Sequence, residues 1–411
     1  MKIGYFKHGF EIGILLAIIG TQVSKIITEV FGNTFFDMTN LVFFLSLLLV
    51  ADIGGMFKGQ LRVSKQMFLI LGYNLYVLVA AILADVSMFE QNKGTVYTLY
   101  VIVFLLLISA NHKRIDEKFL ISAAWWITGI GTCLLMWIIT DRFSNVSSVS
   151  FVWTSGGADR LTLSVLPFVH LVSSLLYIAR TYSKRMLKIL FAVVALYDII
   201  ACSRRGLMVA LVIILIYHIW RNTGEKISKK KFVKAFEIVG VSIFIVVLMA
   251  NVFPSFISMI MNYLHKLGQG INTYFGIYTF GVDTAAVQRN NVWNTVPLEY
   301  LNSGLKVILW GNGYGAKQLD VPYLQAFTDL GLVGGIYYLI VELFYPLNAL
   351  MINRDELFFK FVQYIGIMTI TYNLYSGVPY NHYKFVGVIL LAYAVSYYKK
   401  QEFSERGNEA V

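Results

Sequence analysis

The sequence predicts an all-α polytopic membrane protein with about twelve transmembrane helices. Three observations lead there. Of 411 residues, 57% are hydrophobic and only 14% charged, with a mean hydropathy of +0.66, whereas soluble domains carry about a quarter charged. Apolar runs long enough to cross about 30 Å of hydrocarbon recur along the chain. Finally, Lys and Arg crowd into alternate short loops, as the positive-inside rule requires.

The elements follow in order. The first run, at about 10–28, continues through Ile27 with no small-residue cleavage site, so it reads as a retained span. Further runs lie at about 37–57, 66–86, 95–110, 119–140 and 161–179. The stretch "YDIIACSRRGLMVALVI", Tyr197 to Ile213, divides into spans at about 187–202 and 206–220 around its two arginines. A span at about 235–254 completes an N-terminal bundle, residues 1–254. Residues 255–322 form the longest non-spanning segment, and loops of that length usually carry function. Spans at about 323–350, 357–377 and 383–398 and a tail make up the C-terminal part, residues 323–411.

With the N-terminus inside, the inner loops hold Lys58, Arg62 and Lys65, then Lys113, Arg114 and Lys118, then Arg180 to Lys188, the run "RNTGEKISKKKFVK", and Lys399 with Lys400. Both termini are expected in the cytoplasm of a cell whose cytoplasmic membrane holds the chain. The net charge of +11 records this topology and the anionic lipid it faces, so nucleic acid is not implied. Cys133 and Cys202 sit in or beside different spans with no CxxC spacing and read as packing residues.

Under this topology Arg204 and Arg205 fall at an outer-face turn, where basic residues are disfavoured. The next span starts there, and its free N–H groups and positive dipole end repel a lone cation. An anion reverses the sign: guanidinium forks and helix-terminal N–H groups together form a phosphate or pyrophosphate clamp. Interfacial anchoring is the alternative. Arg160, at the outer start of another span, fits either role.

In the long loop, "FISMIMNYLHKLGQGINTYFGIYTFGVD" reads as amphipathic or re-entrant pieces against the membrane. Asp283 is placed to cap a short helix presenting Arg289 and Trp293 on one face until Pro297 interrupts it. That pair suits a phosphate and a sugar ring, and also suits interfacial anchoring. "GNGYG", Gly311 to Gly315, reads as a structural turn. The outer side carries no DxD pair, and His8, His112, His170, His218, His265 and His382 are dispersed, so no metal site is expected. For His170, helix–helix hydrogen bonding and a functional role remain open.

Ser203-Arg204, Arg289 with Trp293, the glycine turn and "DVPYLQAFTDLGLVGG" together resemble the O-antigen ligase and Wzy-type polysaccharide polymerase superfamily. In that family a His-Asn-x-Tyr-Leu signature precedes a Gly-Leu-x-Gly span start. Tyr323, Leu324, Gln325, Gly331, Leu332 and Gly334 match, while Asp320 and Val321 stand at the His-Asn positions. Loss of the ligase-type histidine favours polymerase over ligase.

The resemblance implies a GT-C-like fold and metal-independent glycosyl transfer, without a cofactor, at the outer membrane surface. A polyprenyl-pyrophosphate-linked oligosaccharide would serve as donor and acceptor, and a chain-length regulator and a flippase as partners. Arg204, Arg205, Arg289 and Arg160 would hold the pyrophosphate as charge builds on the leaving oxygens. Asp320 is the first candidate for the base that orients the acceptor hydroxyl. Tyr323, Trp293, His265 and His382 are the candidate sugar contacts, the two histidines also being reserve bases. The competing classes are a lipid-linked oligosaccharide flippase, whose site would lie near the midplane, and a non-catalytic assembly protein.

Overall fold

The computed structural model describes residues 7–31, 38–52, 64–83, 94–111, 113–143, 160–202, 205–222, short helical pieces within 261–272, and 284–316, 318–375 and 377–409. Among these, every regular element is a helix. The expected span near 235–254, Asp283 as a cap, and Ser203 with Arg204 lie outside the described residues.

The helices are α1 (Gly9–Phe31), α2 (Met38–Val50), α3 (Lys65–Leu83), α4 (Gly94–Ala110), α5 (Glu117–Phe143), α6 (Arg160–Leu176), α7 (Tyr182–Ala201) and α8 (Arg205–Asn222). After the long segment come α9 (Thr284–Leu301), α10 (Leu305–Trp310), α11 (Pro322–Leu339), a π-helical turn (Ile340–Phe344), α12 (Tyr345–Leu350), α13 (Leu357–Tyr375) and α14 (His382–Glu409). By length and composition alone, four stretches are long and apolar enough to cross a membrane: Gly9–Thr28, Lys65–Leu83, Glu117–Ile139 and Pro322–Leu350. Shorter apolar helices include Met38–Val50, Thr95–Ala110, Leu163–Leu176 and Gly206–Arg221.

Burial explains why these runs assemble. On α3, Phe68, Leu75, Val79 and Ile82 are exposed, while Met67, Ile70, Tyr73, Asn74 and Val77 are buried. On α8, Val209, Val212, Ile213 and Ile216 are exposed opposite buried Leu207, Ala210 and Ile214. Water would not tolerate such continuous apolar rows, and they suit lipid. Small residues permit close packing: a Cβ at Gly20 would stand 2.2 Å from Val42, and Gly13 lies against Val50, so α1 and α2 pack intimately.

Polar contacts gather the starts of α1, α5 and α13 with the end of α8 and with Tyr398 within α14. His8 stacks on Phe119 at 3.8 Å, and the Asp116 amide donates to Glu11 Oε1 at 2.8 Å. Glu117 accepts from the Leu357 amide at 2.7 Å, capping α13, and from the Tyr398 hydroxyl at 2.5 Å. Arg221 donates to Gln363, to the Arg354 carbonyl and to Asn353. One end of the bundle therefore collects helix ends from the segments read above as inner loops.

Two expectations are corrected. Pro297 does not interrupt α9, which runs from Thr284 through it to Leu301; a proline forfeits one intrahelical bond, and the helix continues around it. Nor does Pro322–Leu350 form one straight rod. Gly331 has φ 70° and ψ −171°, outside helical space. In a continuous helix Tyr323 and Tyr338 would lie about 22 Å apart along the axis, yet their ring centroids are 5.7 Å apart. The Tyr323 hydroxyl also donates to the Glu342 carbonyl at 3.3 Å. Residues 322–330 therefore fold back against residues 332–342, with Gly331 at the tip of a helical hairpin. Gly335 lets the arms meet, since a Cβ there would stand 2.3 Å from the Phe327 ring.

Candidate functional site

A hairpin inside an apolar bundle must satisfy the backbone groups its break releases. The "GNGYG" turn supplies the donors. The amides of Asn312 and Gly313 donate to the carbonyls of Thr328 and Asp329 at 2.8 and 3.0 Å, and the Tyr76 hydroxyl of α3 donates to the Leu330 carbonyl at 3.2 Å. Gly311 (φ 80°) and Gly331 lie backbone to backbone: a Cβ on the first would stand 2.3 Å from the Asp329 carbonyl oxygen, and on the second 2.3 Å from that of Leu309. The structural reading of this turn is what the fold displays, because it caps the first arm.

From there residues 312–321 run back along the arm. Asp329 Oδ2 accepts from the Gly315 amide (3.2 Å), Gln325 Nε2 (3.2 Å) and the Tyr380 hydroxyl (3.1 Å), and Gln325 Oε1 accepts from the Leu319 amide at 3.4 Å. Gln325 and Asp329, one helical turn apart, form a rail that receives the loop. Tyr380 stacks on Tyr314 at 4.3 Å over this rail. Burial, and then the Asp329 charge, push both phenol pKa values above the ordinary range.

The loop delivers Asp320 to the start of the first arm. Its φ of 53° is left-handed, a conformation Asp tolerates. The side chain is exposed, with Gln318 Nε2 at 3.5 Å from Oδ1, between buried Leu319 and buried Val321. Behind it lies a buried polar cluster. Lys384 of α14 is fully buried, within electrostatic reach of both Asp320 and Glu342. Glu342, also fully buried, sits in the π-helical turn and accepts from Asn373 Nδ2 at 3.0 Å, while the Tyr338 hydroxyl donates to Asn373 Oδ1 at 2.8 Å.

The other expected residues distribute as follows. Arg289 and Trp293 share α9, which packs on α10 and α11, and both are half-buried. Tyr323 is buried, its hydroxyl turned to the Glu342 carbonyl rather than to an open surface. His382, expected as a sugar contact, is buried. As the first residue of α14 it lies edge-on to Phe43 at 4.8 Å and near Tyr97 and Tyr100, and neither ring nitrogen has a hydrogen-bond partner among the described residues. His265 sits on an exposed helical piece with its Nε2 3.0 Å from Gln269. His170 bonds Thr128 at 3.1 Å and Ser174 at 3.2 Å, so it joins α5 to α6. Arg160 and Arg205 begin α6 and α8, their side chains lying outside the described residues along with Arg204. Among the described residues, no group of three or more His, Cys, Asp or Glu could hold a metal.

Glu342, Lys384, Asn373 and Asp329 were not singled out from sequence. The available signal was an ionisable residue inside an apolar run, as in "YYLIVELFYPL" and "NHYKFVGVILL". Fold and site together define an all-helical protein, with helices fit to cross a membrane, built around a loop-capped hairpin and a buried charged cluster. No protein-family model, curated protein or solved structure matches the chain.

Proposed function

We propose that this chain is a Wzy-type polysaccharide polymerase of the cytoplasmic membrane, with about twelve spans in a GT-C-like arrangement. It transfers a polyprenyl-pyrophosphate-linked glycan onto a lipid-linked repeat unit at the outer face. The observation that carries the reading is the hairpin and its loop, which hold Asp320 exposed at the start of the first arm. A carboxylate fixed there is placed to accept the proton of an acceptor hydroxyl as the new glycosidic bond forms. The pyrophosphate leaves with the bonding electrons of its C–O bond. Arg289, on a helix packed against the hairpin, would stabilise that charge together with Arg204 and Arg205.

A second reading, a carrier of lipid-linked oligosaccharide, is favoured by one observation: a broken helix beside a buried Glu and Lys is the usual architecture of an intramembrane transport site. The full chain reconstituted in vesicles with lipid-linked repeat units separates the two. Polymerase activity predicts longer glycans and released polyprenyl pyrophosphate, falling about 100-fold or more in Asp320→Asn. Translocation without elongation, detected with a membrane-impermeant glycan label, establishes the carrier and overturns the polymerase.

A further inference from the structure

The cluster behind Asp320 has a composition that the glycosyl-transfer reading does not use. Glu342 and Lys384 are each fully buried, on different elements, between the hairpin tip and the basic end of the bundle. One Glu342 oxygen accepts from Asn373, while Oε1 has no hydrogen-bond partner among the described residues. Burying a carboxylate and an ammonium is expensive unless they compensate each other, so such groups are retained inside apolar bundles chiefly where they function. The carboxylate sits in a π-helical turn, a local distortion that recurs at functional sites. Lys384 also lies within electrostatic reach of Asp320, which is open to solvent.

The geometry points to an intramembrane proton-binding site formed by Glu342 and Lys384, loaded and unloaded from the hairpin mouth past Asp320. The ligand is the proton: the Glu342 oxygen that has no hydrogen-bond partner among the described residues takes one hydrogen, beside the Lys384 amine. The groups facing Glu342 are Tyr323 and Tyr338 from the hairpin, Tyr73 from α3, Lys384 from α14 and the uncharged amide of Asn373 from α13. Tyr345 follows one turn on, in α12. The site stands independently of the glycan chemistry.

The test is an infrared titration of the full chain in phosphatidylcholine vesicles, following the carbonyl stretch of protonated carboxylic acid as pH is varied. A reversible band is expected that is lost in Glu342→Gln, displaced along the pH axis in Lys384→Met, and returned towards its original position in Lys384→Arg. Glu342→Asp, which keeps the acid, moves the band instead of abolishing it and covers the case in which Glu342→Gln does not fold. Asp198→Asn is the control: that carboxyl is also fully buried, with no partner for either oxygen among the described residues, and its removal leaves the Glu342 band in place. Spectra of Glu342→Gln and Glu342→Asp that superimpose on those of the unsubstituted chain at every pH overturn the proposal. So does a band indifferent to Lys384→Met.

Discussion

Single residues set the hairpin. Gly311 and Gly331 combine left-handed backbone with an approach that leaves no room for a Cβ, whereas Gly313 (φ 104°) has the backbone demand but nothing within 4 Å. Alanine at Gly331 or Gly311 is expected to destabilise by more than about 3 kcal/mol, and at Gly313 by about 1 kcal/mol. Thermal unfolding of the purified variants checks the ranking, and equal losses at the three sites would count against the close approach. At Asp329, alanine strands three donors and should cost about 2–4 kcal/mol, while Tyr380→Phe removes one of them and should cost about 1–2 kcal/mol. Tyr380 also carries a pH signature. Its folded-state pKa is raised by burial, so its contribution to stability is complete below the unfolded value of about 10 and is lost as pH rises through the folded value. Stability measured across the alkaline range should therefore fall less steeply in Tyr380→Phe.

At the scale of elements, the sequence shows where apolar runs begin and end because those signals are local. The expected limits near 95–110, 206–220 and 357–377 match α4, α8 and α13 closely. The hairpin escaped this reading because "PYLQAFTDLGLVGGIYYL" is apolar on both sides of Gly331, and composition cannot distinguish one long helix from two short antiparallel arms. What separates them is a glycine in left-handed space together with a distant loop able to cap the released carbonyls. The tolerance of α9 for Pro297 has the same origin: packing on α10 and α11 outweighs one missing bond. Pro297→Ala should accordingly raise the thermal midpoint slightly or leave it unchanged, and a fall would show that the ring itself packs. The motif drew Asp320 and Tyr323 together, but their separation into an exposed carboxylate and a buried phenol was not legible in it.

For the whole molecule, the clustering of His8, Glu11, Asp116, Glu117, Arg221 and Arg354 makes one end of the bundle polar. Single cysteines introduced at Asp355 and at Asn312, in a chain with Cys133 and Cys202 replaced by serine, should react with an impermeant thiol reagent from opposite sides of the membrane. Labelling of both from one side would overturn the topology. By itself the sequence determined the helical class, the apolar runs, the basic asymmetry of the loops and the segment in which Asp320 lies, since each depends on composition or spacing along the chain. Only the tertiary structure decided that the chain folds back at Gly331, that His382 is walled in by Phe43, Tyr97 and Tyr100, and that Glu342 and Lys384 share one buried cluster. Those outcomes depend on which distant groups satisfy a broken backbone and a buried charge, and no spacing rule records that choice.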